Sequence, residues 1–220
     1  MFEGYCDKTV DLFWGIRLNN DRDWFQTQKA DFAAYVMKPT KELAGELYDW
    51  LSETYPGMNL NLHISRVYRD ARRLFGRGPL NDHIWFSFQS ADENRAEAPC
   101  LWFEVGADGY GYGAGWWMRA ADAMRYRKLI DADEKAFRKI VRPLEKQTEL
   151  KLDAPEYAKP KGHADDDLRA WYNLRTLNVC CMKKYDALSY SRQLVDAMKD
   201  GYLQLMPYFQ FMEKVYKSRS

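Results

Sequence analysis

The spacing of hydrophobic residues changes its period twice along this 220-residue chain. Between residues 9 and 55 apolar residues recur at helical spacing, and the clearest helix face consists of Leu43, Leu47, Trp50 and Leu51. From Leu60 the period becomes two, which predicts successive strands over residues 60–64, 84–88, 101–105 and 109–116. Strands that follow one another with no helix between them pair antiparallel. We therefore expect helices first and then an antiparallel sheet from residue 60 to residue 118.

Helical spacing returns after residue 120 and predicts one helical segment to about residue 147. A further strand is predicted near residues 177–181, and a long amphipathic helix, bent or restarted at Pro207, closes the chain. Near the start, Thr9 and Asp21 are expected to cap helices, and Pro39 fits a first helical turn. Together these patterns predict a single α+β domain over residues 1–220, with an antiparallel sheet flanked by N-terminal helices and a long C-terminal helix.

Glycine occupies every second position of the segment from residue 109 to residue 115. In an extended strand, Gly109, Gly111, Gly113 and Gly115 point to one face and leave it without side chains. Two interpretations stay open for this bare face: a helix packs closely against it, or a ligand lies along it, in which case Gly113 supports a binding site.

Composition narrows the class of protein. Hydrophobic residues make up 46% of the chain and aromatic residues 15%, which excludes a disordered chain. The formal net charge of +1 argues against coating of nucleic acid or anionic membrane by charge alone. The four cysteines form no C-x-x-C motif, so we expect a reduced, cytoplasmic setting. We find no signal peptide and no apolar run long enough for a membrane span, so no membrane association is expected.

The charge is balanced overall but not locally. Five arginines, Arg66, Arg69, Arg72, Arg73 and Arg77, stand in one short segment with a single acid, Asp70. Continued strand alternation predicts that Arg66 points inward, where its charge needs a partner. Either an internal network with Asp70 or Glu104 meets it, or Arg66, Arg69, Arg72 and Arg77 bind a phosphate or carboxylate group. Tyr68, Asn20 and Arg22 are candidate supporting residues.

Catalytic signatures are weak. No segment matches a nucleophile elbow, a phosphate-binding P-loop or the H-E-x-x-H zinc motif, and we expect no cofactor and no bound metal. Asp70 and His163 are the candidate acid–base groups, although a loop histidine is more often simply solvated. The run from residue 165 to residue 167 is aspartate throughout, a pattern that favours the first turn of a helix over a cation site.

Four stretches together resemble a bacterial and fungal family known only as domain of unknown function 2461. They are Leu18-Asn-Asn-Asp-Arg-Asp-Trp-Phe, Arg66-Val-Tyr-Arg-Asp-Ala-Arg, the glycine-alternating strand, and Leu205-Met-Pro-Tyr-Phe. The family usually continues R-F-x-x-D-K-x-P-Y-K from the last arginine of the second stretch, whereas this chain keeps Pro79 and a basic group at Arg77 but lacks a Phe, an Asp, a Tyr and a Lys of that pattern. The resemblance implies an α+β domain in a bacterial protein, and it supplies no activity, substrate or cofactor.

Three functions remain open at the level of sequence. The first is a module that binds an anionic small molecule, a nucleotide or a nucleic-acid segment through the arginines. The second is an enzyme acting on a phosphorylated or carboxylated substrate, with Asp70 or His163 as its acid–base group. The third is a protein-interaction scaffold in which the arginines are structural. The sequence does not define the ligand or the oligomeric state.

Overall fold

A six-stranded antiparallel sheet is the centre of the fold, within residues 1–90, 97–163 and 166–219 that the computed structural model describes. Its strands are β1 (Leu60–Ile64), β2 (His83–Ser90), β3 (Cys100–Gly106), β4 (Gly109–Trp116), β5 (Lys151–Leu152) and β6 (Leu177–Lys183). Their order across the sheet is β1-β2-β3-β4-β6-β5, and β5 pairs antiparallel with β6.

Helices precede and follow the strands. They are α1 (Asp7–Asn19), α2 (Arg22–Phe32), α3 (Lys38–Thr54), α4 (Ala120–Ala132), α5 (Glu134–Lys146), α6 (Arg169–Tyr172) and α7 (Gln193–Lys217). A π-helical turn, Ala33–Met37, joins α2 to α3. The predicted α+β class, the antiparallel sheet and the long C-terminal helix are confirmed. The closing helix α7 runs through Pro207 without restarting.

The described chain divides into two compact units. The first comprises Met1–Phe88, Phe103–Gly111 and Met182–Lys199, and the second comprises Gln89–Trp102, Tyr112–Cys181 and Asp200–Ser220. That residues 1–220 form a single domain stays a prediction.

The first unit has an aromatic core. The ring of Phe103 stacks on Phe86 at 4.9 Å between centroids and on Tyr5 at 6.3 Å. Phe25 meets Phe32 edge to face at 5.2 Å. Offset and edge-to-face ring pairs add about 0.5–1.5 kcal/mol each beyond burial. The contact between Tyr5 and Phe103 joins the segment before α1 to β3 within the unit.

Helix α1 begins earlier than the predicted cap at Thr9. Its N-cap is Cys6, and Thr9 lies one turn into the helix, where its hydroxyl accepts a hydrogen bond from the Cys6 amide at 3.2 Å. The Thr9 hydroxyl also donates to the Tyr35 carbonyl at 2.7 Å. Asp21 caps α2 as predicted, because its carboxylate accepts from the Trp24 amide at 2.8 Å.

In the second unit Tyr112 of β4 meets α7. Gly201 of α7 leaves room for the Tyr112 ring, since a Cβ at Gly201 would lie 2.7 Å from the Tyr112 hydroxyl oxygen. Tyr202 of α7 meets Tyr112 edge to face at 5.9 Å, and its hydroxyl donates to the Trp102 carbonyl at 3.0 Å.

Strand β6 lies against the glycines of β4. A Cβ at Gly113 would lie 2.5 Å from the Val179 carbonyl oxygen and 2.8 Å from the Cys180 Cβ. We predicted that a helix or a ligand approaches this strip, and at Gly113 the structure places a neighbouring strand there instead. Gly113 therefore allows the close approach of β6.

Replacement of Gly113 by alanine should lower the free energy of unfolding by about 1–3 kcal/mol, because the added methyl group overlaps the backbone of β6. The matched control is Gly45→Ala in α3, where nothing lies within 4 Å of the added Cβ. Alanine at this helical position should raise stability by about 0.5–1 kcal/mol. Urea unfolding of the three proteins measures both effects, and a Gly113→Ala midpoint equal to that of the wild type would contradict the close approach of β6.

Candidate functional site

Residues 66–79, here called the arginine loop, leave the sheet at β1 and return before β2. An isolated antiparallel bridge between Tyr68 and Leu80 closes the base of this loop. Next to this bridge, the Asn81 amide donates to the Val67 carbonyl at 2.7 Å. The Leu80 side chain is fully buried. The two ends of the loop are thus held together by backbone pairing, while the segment between them extends outward.

Asn20 anchors this base to the turn between α1 and α2. Its backbone adopts the left-handed conformation with φ of 40°, which asparagine tolerates better than most residues. Its side-chain oxygen accepts from the Leu80 amide at 2.9 Å, and its side-chain nitrogen donates to the Leu80 carbonyl at 3.2 Å. Gly78 allows this approach, since a Cβ there would lie 2.8 Å from the Asn20 Cβ.

Tyr68 provides a second anchor. Its ring meets Phe25 edge to face at 5.6 Å, and its hydroxyl accepts from the Gln26 side-chain nitrogen at 3.0 Å. The structure therefore brings Asn20 and Tyr68 together with the loop, but as residues that fix its base. Arg22, the third supporting candidate, is exposed at the start of α2.

Arg66 points outward, so the prediction of an inward Arg66 is wrong. Strand β1 ends at Ile64, and the buried positions that follow it are Ser65 and Val67. The Ser65 hydroxyl accepts a hydrogen bond from the Trp85 amide at 2.9 Å, which holds Ser65 on the inward side. The next residue, Arg66, therefore faces outward. The guanidinium of Arg66 is exposed and has no hydrogen-bond or ion-pair partner within residues 1–90, 97–163 and 166–219.

Arg69 has a structural role. Its side-chain Nε donates to the Leu80 carbonyl at 2.8 Å, and its backbone amide donates to the Pro79 carbonyl at 2.8 Å. Both bonds lie at the base of the arginine loop. The guanidinium of Arg69 is therefore held against the backbone and stabilises the same junction as Asn20.

Asp70 holds Arg72. Its carboxylate caps the short 3₁₀ turn Ala71–Arg73 by accepting from the Arg72 amide at 3.0 Å, and it also accepts from Arg72 Nε at 3.0 Å and Nη2 at 2.8 Å. The hydrogen bond to Asp70 raises the pKa of Arg72. The Arg72 side chain is nevertheless 88% exposed, so its outer edge faces solvent.

Arg77 is also exposed, and its Nε lies 3.4 Å from the Leu74 carbonyl oxygen. Glu104, considered above as an internal partner for the arginines, faces His83 instead, with 3.9 Å between its Oε2 and the His83 Nε2. The outward side of the loop therefore presents Arg66, Arg72 and Arg77. The one acid of this segment is already bound to Arg72.

His163, the other candidate catalytic group, belongs to the second unit. Its Nδ1 lies 2.5 Å from Asp166 Oδ2, and its Nε2 lies 3.5 Å from Glu134 Oε1 and 3.7 Å from Asp131 Oδ1. The hydrogen bond to Asp166 raises the pKa of the imidazole. The Tyr172 ring lies 4.5 Å from the His163 ring, centroid to centroid. Three carboxylates thus surround this histidine, and its contacts with Asp131 and Glu134 join its loop to α4 and α5.

The acidic residues beside His163 were considered as a cation site. Asp165 lies outside the described residues, Asp166 bonds His163, and Asp167 accepts from Arg138 Nη2 at 2.9 Å. Among the residues that the structure describes, no group of three or more histidine, cysteine, aspartate or glutamate side chains is arranged to hold a metal ion.

A cleft of about 310 Å³ in the first unit was not predicted from the sequence. Arg17, at the end of α1, closes one side of it by donating to Asp82 at 2.6 Å and to both oxygens of Asp108 at 2.7 Å. The hydrogen bond from Arg17 lowers the pKa of Asp108. His83 and Lys184 also line the cleft. No local motif indicates this cleft, because the partners of Arg17 are 65 and 91 residues away in the sequence.

The described residues contain no helix that is long and apolar enough to cross a membrane.

His163 should make stability depend on pH. Because its pKa is raised in the folded state, the protonated imidazole stabilises the protein fully below its ordinary pKa of about 6.5, and this contribution is lost as pH rises through the folded pKa. The melting temperature of the wild type should therefore exceed that of His163→Asn more at about pH 5.5 than at about pH 8.5. Asparagine is the chosen replacement because residue 163 has φ of 47°.

Asp166→Asn is the control for the His163 prediction, since it removes the carboxylate that raises the histidine pKa and should reduce the pH dependence. An equal difference in melting temperature between wild type and His163→Asn at both pH values would contradict the carboxylate-held imidazolium.

Comparison with known proteins gives a family without an assigned activity. The family model described as conserved hypothetical protein, DUF2461, matches residues 8–211. No curated protein matches the chain. Because the family model covers nearly the whole sequence, the chain belongs to the DUF2461 family.

Proposed function

We propose that this member of the DUF2461 family is a bacterial, cytoplasmic binding module whose arginine loop binds a phosphate- or carboxylate-bearing ligand. The observation that carries the proposal is the exposed guanidinium of Arg66, which has no partner among the described residues although it stands in a segment of five arginines and one acid. An unpaired guanidinium offers a planar set of donors to phosphate or carboxylate oxygens.

The fixed base of the loop favours binding. Asn20 and Arg69 both bond the Leu80 carbonyl, at 3.2 Å and 2.8 Å, so the base of the arginine loop is tied to the turn after α1 and to the segment that leads into β2. A ligand that binds a loop already held in one conformation does not have to order it, which removes part of the entropic cost of association. The same bonds leave Arg69 as a support and Arg66, Arg72 and Arg77 as the ligand-binding groups.

Binding is favoured over catalysis by the role of Asp70, one of the two candidate acid–base groups. A general base must be able to accept a proton from the substrate. Asp70 instead caps a 3₁₀ turn and is paired in two places with Arg72. The cytoplasmic assignment is supported by the cysteines, since none of Cys6, Cys100, Cys180 and Cys181 forms a disulfide.

The test is a titration with inorganic tripolyphosphate at low and moderate salt. Binding is measured by calorimetry and by the change in melting temperature. Wild type should bind saturably, and added salt should weaken binding because the site is exposed. Arg66→Ala should raise Kd about tenfold, the equivalent of one charge-assisted hydrogen bond of about 1.5 kcal/mol. Lys41→Ala removes an exposed charge from α3 and should leave Kd unchanged.

Two results would overturn the proposal. One is the absence of any saturable binding of tripolyphosphate to the wild type at low salt. The other is an equal loss of affinity in Arg66→Ala and Lys41→Ala, which would show that only net charge matters. The melting temperature of Arg66→Ala without ligand should equal that of the wild type, because the exposed Arg66 side chain has no hydrogen-bond or ion-pair partner among the described residues.

A further inference from the structure

Phe75 is the most exposed large hydrophobic residue in the described part of the chain, with 83% of its surface accessible. Its backbone has φ of 47°, and Gly76 follows with φ of 78°. A bulky residue rarely adopts this left-handed conformation, because its Cβ crowds the backbone. The exposed ring gains little burial in return. A strained, exposed aromatic residue is therefore a feature that folding alone does not explain.

Exposed cationic residues stand close to Phe75 in the sequence. Arg72 and Arg77 stand on either side of it in the arginine loop, and both are exposed. An aromatic face among exposed guanidinium groups is the combination that binds unpaired nucleotides, since a base stacks on the ring while phosphates meet the cations. A simple phosphate or carboxylate has no use for the ring.

We propose that the arginine loop binds single-stranded nucleic acid, with one unpaired base stacked on Phe75 and the adjacent phosphates on Arg66, Arg72 and Arg77. This inference rests on the proposed function and specifies its ligand. The stacked base provides a contact that does not depend on the sequence of the strand, because every base has a π face. The arginines supply the part of the affinity that depends on salt.

The exposure of the loop favours a strand over a single nucleotide. Small-molecule sites are concave and bury most of the ligand surface. The Arg72 side chain is 88% exposed and the Phe75 residue 83% exposed, so these groups stand out from the surface. A strand can gain affinity on such a surface by adding contacts along its length. A duplex cannot use Phe75 in this way, because its bases are already stacked and paired.

Fluorescence anisotropy with labelled strands tests the inference. The probes are a ten-nucleotide thymidine strand, an abasic strand with the same number of phosphates, and a duplex of the same length. Unlabelled tripolyphosphate is the fourth ligand, measured by calorimetry. Wild type should bind the thymidine strand about tenfold more tightly than the abasic strand, the ratio that one stacked base gives. It should bind the duplex no more tightly than the abasic strand.

Phe75→Ala should bind the thymidine strand only as tightly as the abasic strand, and its affinity for tripolyphosphate should be unchanged. Phe75→Gly removes the ring and also the backbone strain, so it should lose the same preference while its melting temperature rises. This second variant separates loss of the ring from loss of folding. Trp117→Ala, which removes another aromatic residue that is 80% exposed, is the matched control and should behave as the wild type.

The outcomes separate this inference from the proposed function. If tripolyphosphate binds through Arg66 but wild type and Phe75→Ala bind both strands equally, the base-stacking inference is overturned and anion binding stands. If no ligand binds the wild type, both are overturned. Equal affinity for duplex and single strand, or an equal effect of Trp117→Ala and Phe75→Ala, would also contradict stacking on Phe75.

Discussion

The two hydrogen bonds between Asn20 and the backbone of Leu80 are the constraint on which the arginine loop depends. They require an asparagine in the left-handed conformation at the end of α1 and a small residue at Gly78. Leu80 is buried and also bridges Tyr68, so this one junction joins a helix turn, a strand pair and the core. The charged segment between its fixed ends is left to face solvent.

The sequence predicted the elements that have a long regular period. Strands β1 to β4 were predicted from the alternation of residue types along each of them, although β2 and β4 are buried on both faces over much of their length. Strand β5 has only two residues and shows no period. The helical segment after residue 120 was predicted as continuous, but it is two helices, since Asp133 caps α5 by accepting from the Ala136 amide at 2.9 Å. Gly113 of β4 lies against β6, which is more than sixty residues further along the chain, and local sequence patterns do not specify such a contact.

The arginine segment could be picked out from the sequence as the candidate site, but the contacts of its residues could not. The excess of arginine over acid identified the segment, because charge count needs no geometry. Extension of the strand alternation past Ile64 gave the wrong direction for Arg66, since the strand ends there and Ser65 turns inward. The sequence alone did not decide whether Asp70 acts as a general base or as the cap of a helical turn. Phe75 was missed because exposure and a positive φ become visible only in the folded loop.

Anion binding by the arginine loop can be tested residue by residue in an NMR titration. The experiment follows the arginine Nε–Hε signals of ¹⁵N-labelled protein as tripolyphosphate is added. If the arginine loop binds the anion, the signals of Arg66 and Arg72 should shift and saturate together. The signals of Arg17 and Arg192 should not move, because Asp82 and Asp108 hold the first and Glu46 holds the second. Shifts of equal size at Arg17 and Arg192, or unchanged signals throughout the arginine loop, would contradict anion binding by this loop.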